Sequence, residues 1–377
     1  MLINELPDDC LVTIFDYIQD LQDLINCYKV CEKWSNVIVG RTKRVKYLID
    51  QSYYSSDYVC TNISPYVDVT CLSKLFPNLR IAEFSYKYNR EAPIEDIFKL
   101  IRNSESLKGI IYDKNWNCEL KLENTNLEML STSSIGSNSC GIKKNVKQLH
   151  LSFFFLNPFE CLAYCFPNLE RLHITQLEDL LPEHYSDAPV SENLKIVELN
   201  PMNYTGVCHS FLFMDSCPAL QSAHIRVDCC HIECNDSIKL ANLRDLVIQF
   251  VKSIDWNDLR TLISKYPNLK HLALRDISLK DEHVKQLIAI LPKLALFDIR
   301  NPDSGVTQEA ADHVRDYCKR YGRSIKFYFK ADDKQIESDW PQLLNRPDKI
   351  CRGFDFMEHC FFKSFDNLPY FLDPMDD

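Results

Sequence analysis

Apolar positions along this chain follow two different periods. Between residues 8 and 38 they keep helical spacing: Leu11, Ile14, Phe15 and Ile18 fall at offsets 0, 3, 4 and 7, on one side of a helix, while Asp8, Asp9 and Asp16 point elsewhere. Pro7 suits the first turn, where its missing N–H has no partner to lose, and Asp8 and Asp9 set negative charge at the positive end of the helix dipole. Either Asp20 or Asp23 can cap a second helix, in which Leu24, Cys27, Tyr28 and Cys31 repeat the offsets. Trp34, Val37 and Ile38 extend the stripe. A unit of about forty residues cannot bury that much apolar surface alone, so one side of it docks on the rest of the chain or on another protein.

Further along, a shorter phrase recurs, with apolar residues at its first, fourth and sixth positions. It opens at Val146, Leu169, Leu194, Leu220, Leu243, Leu269 and Leu294, in steps of 23 to 26 residues. Such steps lie inside the roughly 20–29 residue period of leucine-rich repeats. Helical patterns precede the later copies: Leu259, Leu262 and Ile263 before Tyr266-Pro267-Asn268-Leu269, and Val284, Leu287, Ile288 and Leu291 before Pro292-Lys293-Leu294. Proline ends a helix because it cannot donate to the ladder and restricts the residue before it. Each repeat is therefore predicted as a helix, a proline-marked turn and a short parallel strand, stacked so that neighbours bury what one repeat cannot. Weaker copies open at Leu79, Leu107 and Leu127, and another ends at Ile325–Phe329 after a helical run Ala310–Tyr321. Residues 131–145, rich in Ser, Gly and Asn, read as a loop in place of a helix. Residues 330–377 lack the repeat and are acidic and aromatic; they either cap the open end or fold back over the strand face.

Composition narrows the class. A net charge of −10, from 43 basic and 53 acidic residues, argues against bulk nucleic-acid binding. Seventeen cysteines are scattered without paired spacing, and Met1–Asp9 holds no basic region followed by an apolar run. No apolar stretch approaches membrane-spanning length. These features place the expected site of action in the cytoplasm, the nucleus or both, with reduced thiols and no membrane partner.

Leu6-Pro7, Leu11, Ile14-Phe15, Ile18, Asp23-Leu24 and Val30-Cys31 with Trp34 resemble the F-box pattern position by position. Asp9 stands where the family often has Glu, and Ile18 where it often has Leu; neither swap changes polarity. The resemblance implies a three-helix module that binds the Skp adaptor and, through it, a cullin-RING ubiquitin ligase. Leu6, Pro7, Leu11, Ile14, Phe15, Ile18, Leu24, Val30 and Trp34 would anchor or shape that interface. With the repeats, nearly the whole chain is similar to the leucine-rich-repeat class of F-box proteins. The implied fold is α/β: an F-box at 1–48, a linker or packing helix at 49–64, a right-handed α/β horseshoe of about 10 repeats at 65–329, and a cap or tail at 330–377. The implied function is non-catalytic capture of a protein substrate, the alternative being an interaction scaffold without a degradation role.

Side chains alternate along a strand, so the third, fifth and seventh phrase positions share the face away from the helices. The fifth positions are His150, His173, Glu198, His224, Val247, Ala273 and Asp298; the seventh include Arg226, Arg275 and Arg300, with His271 at a third position. Basic charge on one row of an acidic protein marks Arg226, Arg275, Arg300 and His271, with His173 and His224, as candidates for an acidic or phosphorylated substrate segment. The competing reading leaves the arginines solvated or pairs them with local acids such as Asp245 and Asp298. Cys229, Cys230, His231 and Cys234 crowd four candidate ligands into six residues, unlike the two spaced pairs of a structural zinc site, so no metal is expected. His150, His173, His224 and Glu198 lack a companion nucleophile, and eight glycines leave little for phosphate loops; neither an active site nor a cofactor is expected.

Overall fold

The computed structural model describes residues 3–51, 55–60, 71–84, 94–112, 125–133, 142–153, 163–178, 190–202, 206–301, 305–330, 335–340 and 348–375. The chain divides into two compact units, Met1–Val146 and Lys147–Asp377.

The first unit opens with α1 (Asp8–Asp16), α2 (Leu21–Tyr28) and α3 (Glu32–Thr42). Pro7 occupies the position just before α1, and Asp20, not Asp23, caps α2, accepting from the backbone N–H groups of Gln22 and Asp23 at 2.9 and 3.1 Å. Cys31 belongs to the start of α3, so the stripe read as one helix bends there. Next come β1 (Tyr47–Ile49), β2 (Tyr58–Cys60), α4 (Leu72–Leu75), β3 (Ile81–Phe84), α5 (Ile94–Asn103), β4 (Gly109–Tyr112) and β5 (Met129–Thr132). The strands are parallel in the order β2-β1-β3-β4-β5. Of residues 49–64, read from the sequence as a linker or packing helix, the described ones, 49–51 and 55–60, contribute strand instead, while the rest lie outside the described residues. All six residues of β1 and β2 are buried, as expected of short apolar runs covered on both faces. The core of the Ser/Gly/Asn-rich segment, 134–141, lies outside the described residues.

In the second unit the elements run β6 (Gln148–Leu151), β7 (Arg171–Glu178), β8 (Ile196–Met202), β9 (Val207–Cys208), α6 (Ser210–Asp215), β10 (Ser222–Val227), β11 (His231–Ile232) and β12 (Asp245–Phe250). They continue with α7 (Trp256–Ile263), β13 (His271–Arg275), α8 (Asp281–Ile290), β14 (Leu296–Asp298), α9 (Gln308–Tyr321), β15 (Lys326–Tyr328), α10 (Gln335–Asp339), β16 (Ile350–Arg352), α11 (Phe356–His359) and β17 (Phe371–Asp373). Strands β6-β7-β8-β10-β12-β13-β14-β15 form a parallel sheet in that order. Its register sets Leu149, Leu172, Val197, Ala223, Leu246, Leu272 and Phe297, the fourth phrase positions, side by side, all buried. A slip of one residue would turn that row to the opposite face, which is why the apolar phrase specifies the register.

Not every connection is helical. Between β10 and β12 the described chain has no helix; His231 and Ile232 pair with Val207 and Cys208 instead. The asparagine of the turn phrase does work that spacing alone does not reveal. Asn193, Asn242 and Asn268 each precede the first apolar position and donate to a carbonyl one repeat back, Pro167, Pro218 and Ala241, at 3.0, 2.8 and 2.7 Å. Within the first unit, Asn78 and Asn145 do the same toward Lys43 and Thr125, both at 2.7 Å. Replacing Asn268 by Ala is expected to cost about 1 kcal/mol in urea unfolding, and an unchanged midpoint would show that these bonds add nothing. The last long helix, α9, ends at Gly322 with φ 63°, and Arg323 then donates to the carbonyls of Ile288 and Leu291 at the end of α8 and of Leu294 in the turn after it. No helix among the described residues is long and apolar enough to cross a membrane.

Residues 348–373 decide between the two readings of the tail. Phe356, Phe361, Phe365, Leu368 and Leu372 join Ile196, Val247, Ala273, Leu296 and Tyr328 of the sheet in one buried cluster. The tail therefore folds back over the face formed by the third and fifth phrase positions.

Candidate functional site

Two surfaces were expected to carry function: the N-terminal helices and the outward rows of the sheet. In the helices, consecutive residues separate into inner and outer roles. Leu11 and Phe15 are fully buried, and Phe15 meets Trp34 edge-on with ring centroids 5.0 Å apart. Leu24 and Ile38 complete that core, while Leu6, Ile18 and Trp34 are half-buried. Left outside are Pro7, Ile14 (38 % exposed), Tyr17 and Val30 (54 % exposed). Of the nine residues assigned to the interface, Leu11, Phe15 and Leu24 can only shape it; Pro7, Ile14 and Val30 can touch a partner directly.

Polar anchors fix this module on the strands behind it. Arg41, 1 % exposed, donates to the carbonyl of Tyr58 at 2.7 Å and lies 3.6 Å from Asp16, which Arg44 approaches to 2.5 Å. Burial lowers the Arg41 pKa, and Asp16 opposes that shift. Lys33 on α3 donates to the carbonyls of Leu6 and Asn4 at 2.7 and 3.2 Å, tying the chain before Pro7 to α3. Removing the Asp20 cap (Asp20→Ala) is expected to cost about 1 kcal/mol in thermal unfolding; a variant as stable as wild type would show that α2 needs no side-chain cap.

The sheet rows form in the predicted register: His150, His173, Glu198, His224, Val247, Ala273 and Asp298 are successive neighbours. The row is not open, however, because the tail lies on it. Gln148 exchanges two hydrogen bonds with Leu372, at 2.6 and 3.0 Å. Arg171 donates to the carbonyls of Pro369 and Tyr370 at 2.6 and 2.9 Å and to Glu198 at 2.6 Å, with both charged side chains buried. His150 stacks on Tyr370 at 4.0 Å, and His173 and His224 each meet the ring of Phe365 edge-on.

Accordingly, Arg226, Arg275 and Arg300 do not converge on one external anion. Arg226 pairs with Asp366 at 2.9 Å, Arg275 donates to the carbonyls of Phe361 and Lys363, and Arg300 grips Asp298 at 2.8 and 2.9 Å. His271 pairs with Asp245 at 2.6 Å. His173 and His224 are buried, out of reach of a client. The reading that pairs these groups within the chain fits better; alternation along a strand specifies a face but not what covers it.

Burial holds the histidines neutral: His150 is pushed down to about 3, with Arg171 adding to the shift, and His173 and His224 fall well below the ordinary value. Burial raises the Glu198 carboxyl, while Arg171 pulls it back. Imidazoles of the unfolded chain take protons near pH 6.5 and the buried ones do not, so their contribution is intact above that pH. It falls as the pH drops, by up to about 1.4 kcal/mol per pH unit for each histidine. Glu198 acts in the opposite sense, since the folded state takes its proton first on acidification. Urea midpoints should therefore fall between pH 7.5 and 5.5, less steeply for His224→Phe than for wild type. Parallel profiles for the two proteins would contradict this.

The cysteine cluster lies in the connection around β11. Cys229 donates to the carbonyl of His231 at 3.0 Å, His231 pairs with Asp258 at 3.3 Å, and Cys234 donates to Asp236 at 3.5 Å. Among the described residues, no three His, Cys, Asp or Glu side chains are grouped to hold a metal ion.

No curated protein matches the chain. Residues 3–42 match the F-box-like family, the stretch in which α1–α3 bury Leu11, Phe15 and Leu24 and leave Ile14 and Val30 outside. The chain thus carries an F-box-like domain at residues 3–42, a kind of domain that generally binds the Skp adaptor.

Proposed function

We propose that this chain is a non-catalytic substrate-recognition subunit of a Skp-cullin-F-box ubiquitin ligase, acting in the cytoplasm, the nucleus or both. The observation that carries the reading is the F-box-like module itself, whose large side chains Ile14 and Val30 stay outside a core already closed by Leu11, Phe15 and Leu24. The remainder reads as a leucine-rich-repeat solenoid, a right-handed α/β horseshoe. Its support is the 23-to-26-residue phrase and the in-register parallel ladder it generates.

In this role, α1–α3 bind the adaptor, and the repeats hold a protein client. Proximity to the ligase's ubiquitin-carrying enzyme raises the effective concentration of the reacting groups. No side chain of this chain takes part in the transfer. Pull-down of purified full-length protein with Skp adaptor and cullin tests the reading: capture of both is expected, and no adaptor binding by wild type would defeat it. Client proteins that accumulate when the chain is depleted would separate a receptor from the alternative, a scaffold that uses the adaptor without degradation.

A further inference from the structure

The tail closes the face on which the sequence placed client capture, and it leaves another site open at the strand starts. A cleft of about 470 Å³ lies where β8, β10, β12 and β13 begin, walled on its other side by Phe354, Phe356 and Met357 of the tail. Its floor follows from the repeat. The residue after the first apolar position is Lys195, Gln221, Arg244 and Lys270 in four successive repeats. Backbone bonds of 2.8 Å from Gln221 to Lys195, Arg244 to Gln221 and Lys270 to Arg244 hold these residues in one line. Adjacent strands lie about 4.8 Å apart, so Arg244 and Lys270 are next-door neighbours and the line spans roughly 14 Å.

Charge in the cleft is unevenly committed. Its two acids are already engaged: Asp245 accepts from Ser222 Oγ at 2.7 Å and His271 Nδ1 at 2.6 Å, and Asp355 caps α11 by accepting from the Glu358 N–H at 3.0 Å. Lys195 is held at the rim by Glu170 at 2.7 Å. Arg244 and Lys270 are exposed, and neither has an ion-pair partner among the described residues. His271, with Nδ1 committed to Asp245, is left Nε2 with which to meet a ligand, in an orientation the carboxylate fixes. Phe354 and Met357, half-buried, add an apolar wall.

We infer that this cleft is a binding site for a peptide segment carrying an oxyanion, a phosphorylated or acidic side chain next to an apolar one, with Arg244, Lys270 and His271 meeting the anion. Two cations without an ion-pair partner among the described residues, beside an oriented imidazole in a protein of net charge −10, favour an anion over a cation or a neutral strand. The apolar wall favours a peptide over a free inorganic ion. The inference rests on reading the chain as a client receptor, and it moves client recognition from the covered row to the edge of the sheet.

Fluorescence anisotropy on the full-length protein tests it, with three labelled degenerate heptapeptide pools identical except for phosphoserine, aspartate or serine at the centre. The phosphoserine pool should bind saturably, compete with inorganic phosphate and outbind the serine pool; equal binding by the aspartate pool would support the acidic form of the same ligand. The double substitution R244A/K270A should weaken phosphoserine-pool binding by about tenfold or more, while Lys252→Ala, whose lysine pairs with Asp228, should not. Wild-type affinity in a folded R244A/K270A protein, or equal binding of the serine and phosphoserine pools, would overturn the inference. Adaptor pull-down of the same proteins keeps the two readings apart: kept adaptor capture with no pool selectivity defeats only the cleft.

Discussion

Replacing Arg171 by Ala is expected to destabilise the protein by about 3–5 kcal/mol, the range for breaking a buried ion pair from one side. The guanidinium is 1 % exposed and serves four acceptors at once: Glu198, the Gln148 side-chain oxygen at 3.4 Å, and the carbonyls of Pro369 and Tyr370. Its loss strands a carboxylate that burial already drives toward its protonated form, and it leaves two tail carbonyls without their donor. The tail should loosen with it, exposing the cluster of Phe361, Phe365 and Val247. Urea unfolding and amide exchange over 361–373 measure both effects. Adding Glu198→Gln should recover part of the loss, because the stranded charge is then gone. A change below about 1 kcal/mol in R171A would show that the pair does not secure the tail.

The second large effect is on partner capture. Ile14→Asp combined with Val30→Asp should reduce Skp-adaptor binding by at least about 100-fold, the consequence of two charged groups at positions where apolar contacts carry the energy. Both side chains are exposed, so the melting temperature should stay near that of wild type. Phe15→Ala is the instructive contrast. That ring is fully buried against Trp34, and its removal should cost about 3–5 kcal/mol, reducing binding only through loss of the module's fold. Calorimetry with purified adaptor, read beside thermal melts, separates surface from core. Undiminished affinity in the double aspartate variant would remove Ile14 and Val30 from the interface.

Much of the fold is legible from the chain alone because its signals are local. Helix offsets locate α1, and the six-residue phrase fixes both the strands and their register, since one slipped residue would exchange the faces of the whole sheet. Other features depend on contacts that no spacing encodes. Ile14 and Phe15 are adjacent in sequence and equally apolar, yet a turn of about 100° sends one outward and one into the core. Only the position of α3 says which. The strand pair within 47–60 is not legible in the sequence, because three-residue apolar runs carry no distinctive period.

The candidate sites divide the same way. Alternation along the strands determined that Arg226, Arg275 and Arg300 share a face with His173 and His224. The tertiary structure decided that this face is filled, because tail and sheet meet through backbone carbonyls of Phe361, Lys363, Pro369 and Tyr370. A carbonyl is present on every residue, so the sequence does not mark which ones an arginine 86 to 199 positions away will bind. By itself, then, the sequence determined an F-box-like module and a repeating parallel ladder, both products of short-range periodicity. Which face is closed, and which cations at its edge have no ion-pair partner among the described residues, were decided only by long-range packing of the tail.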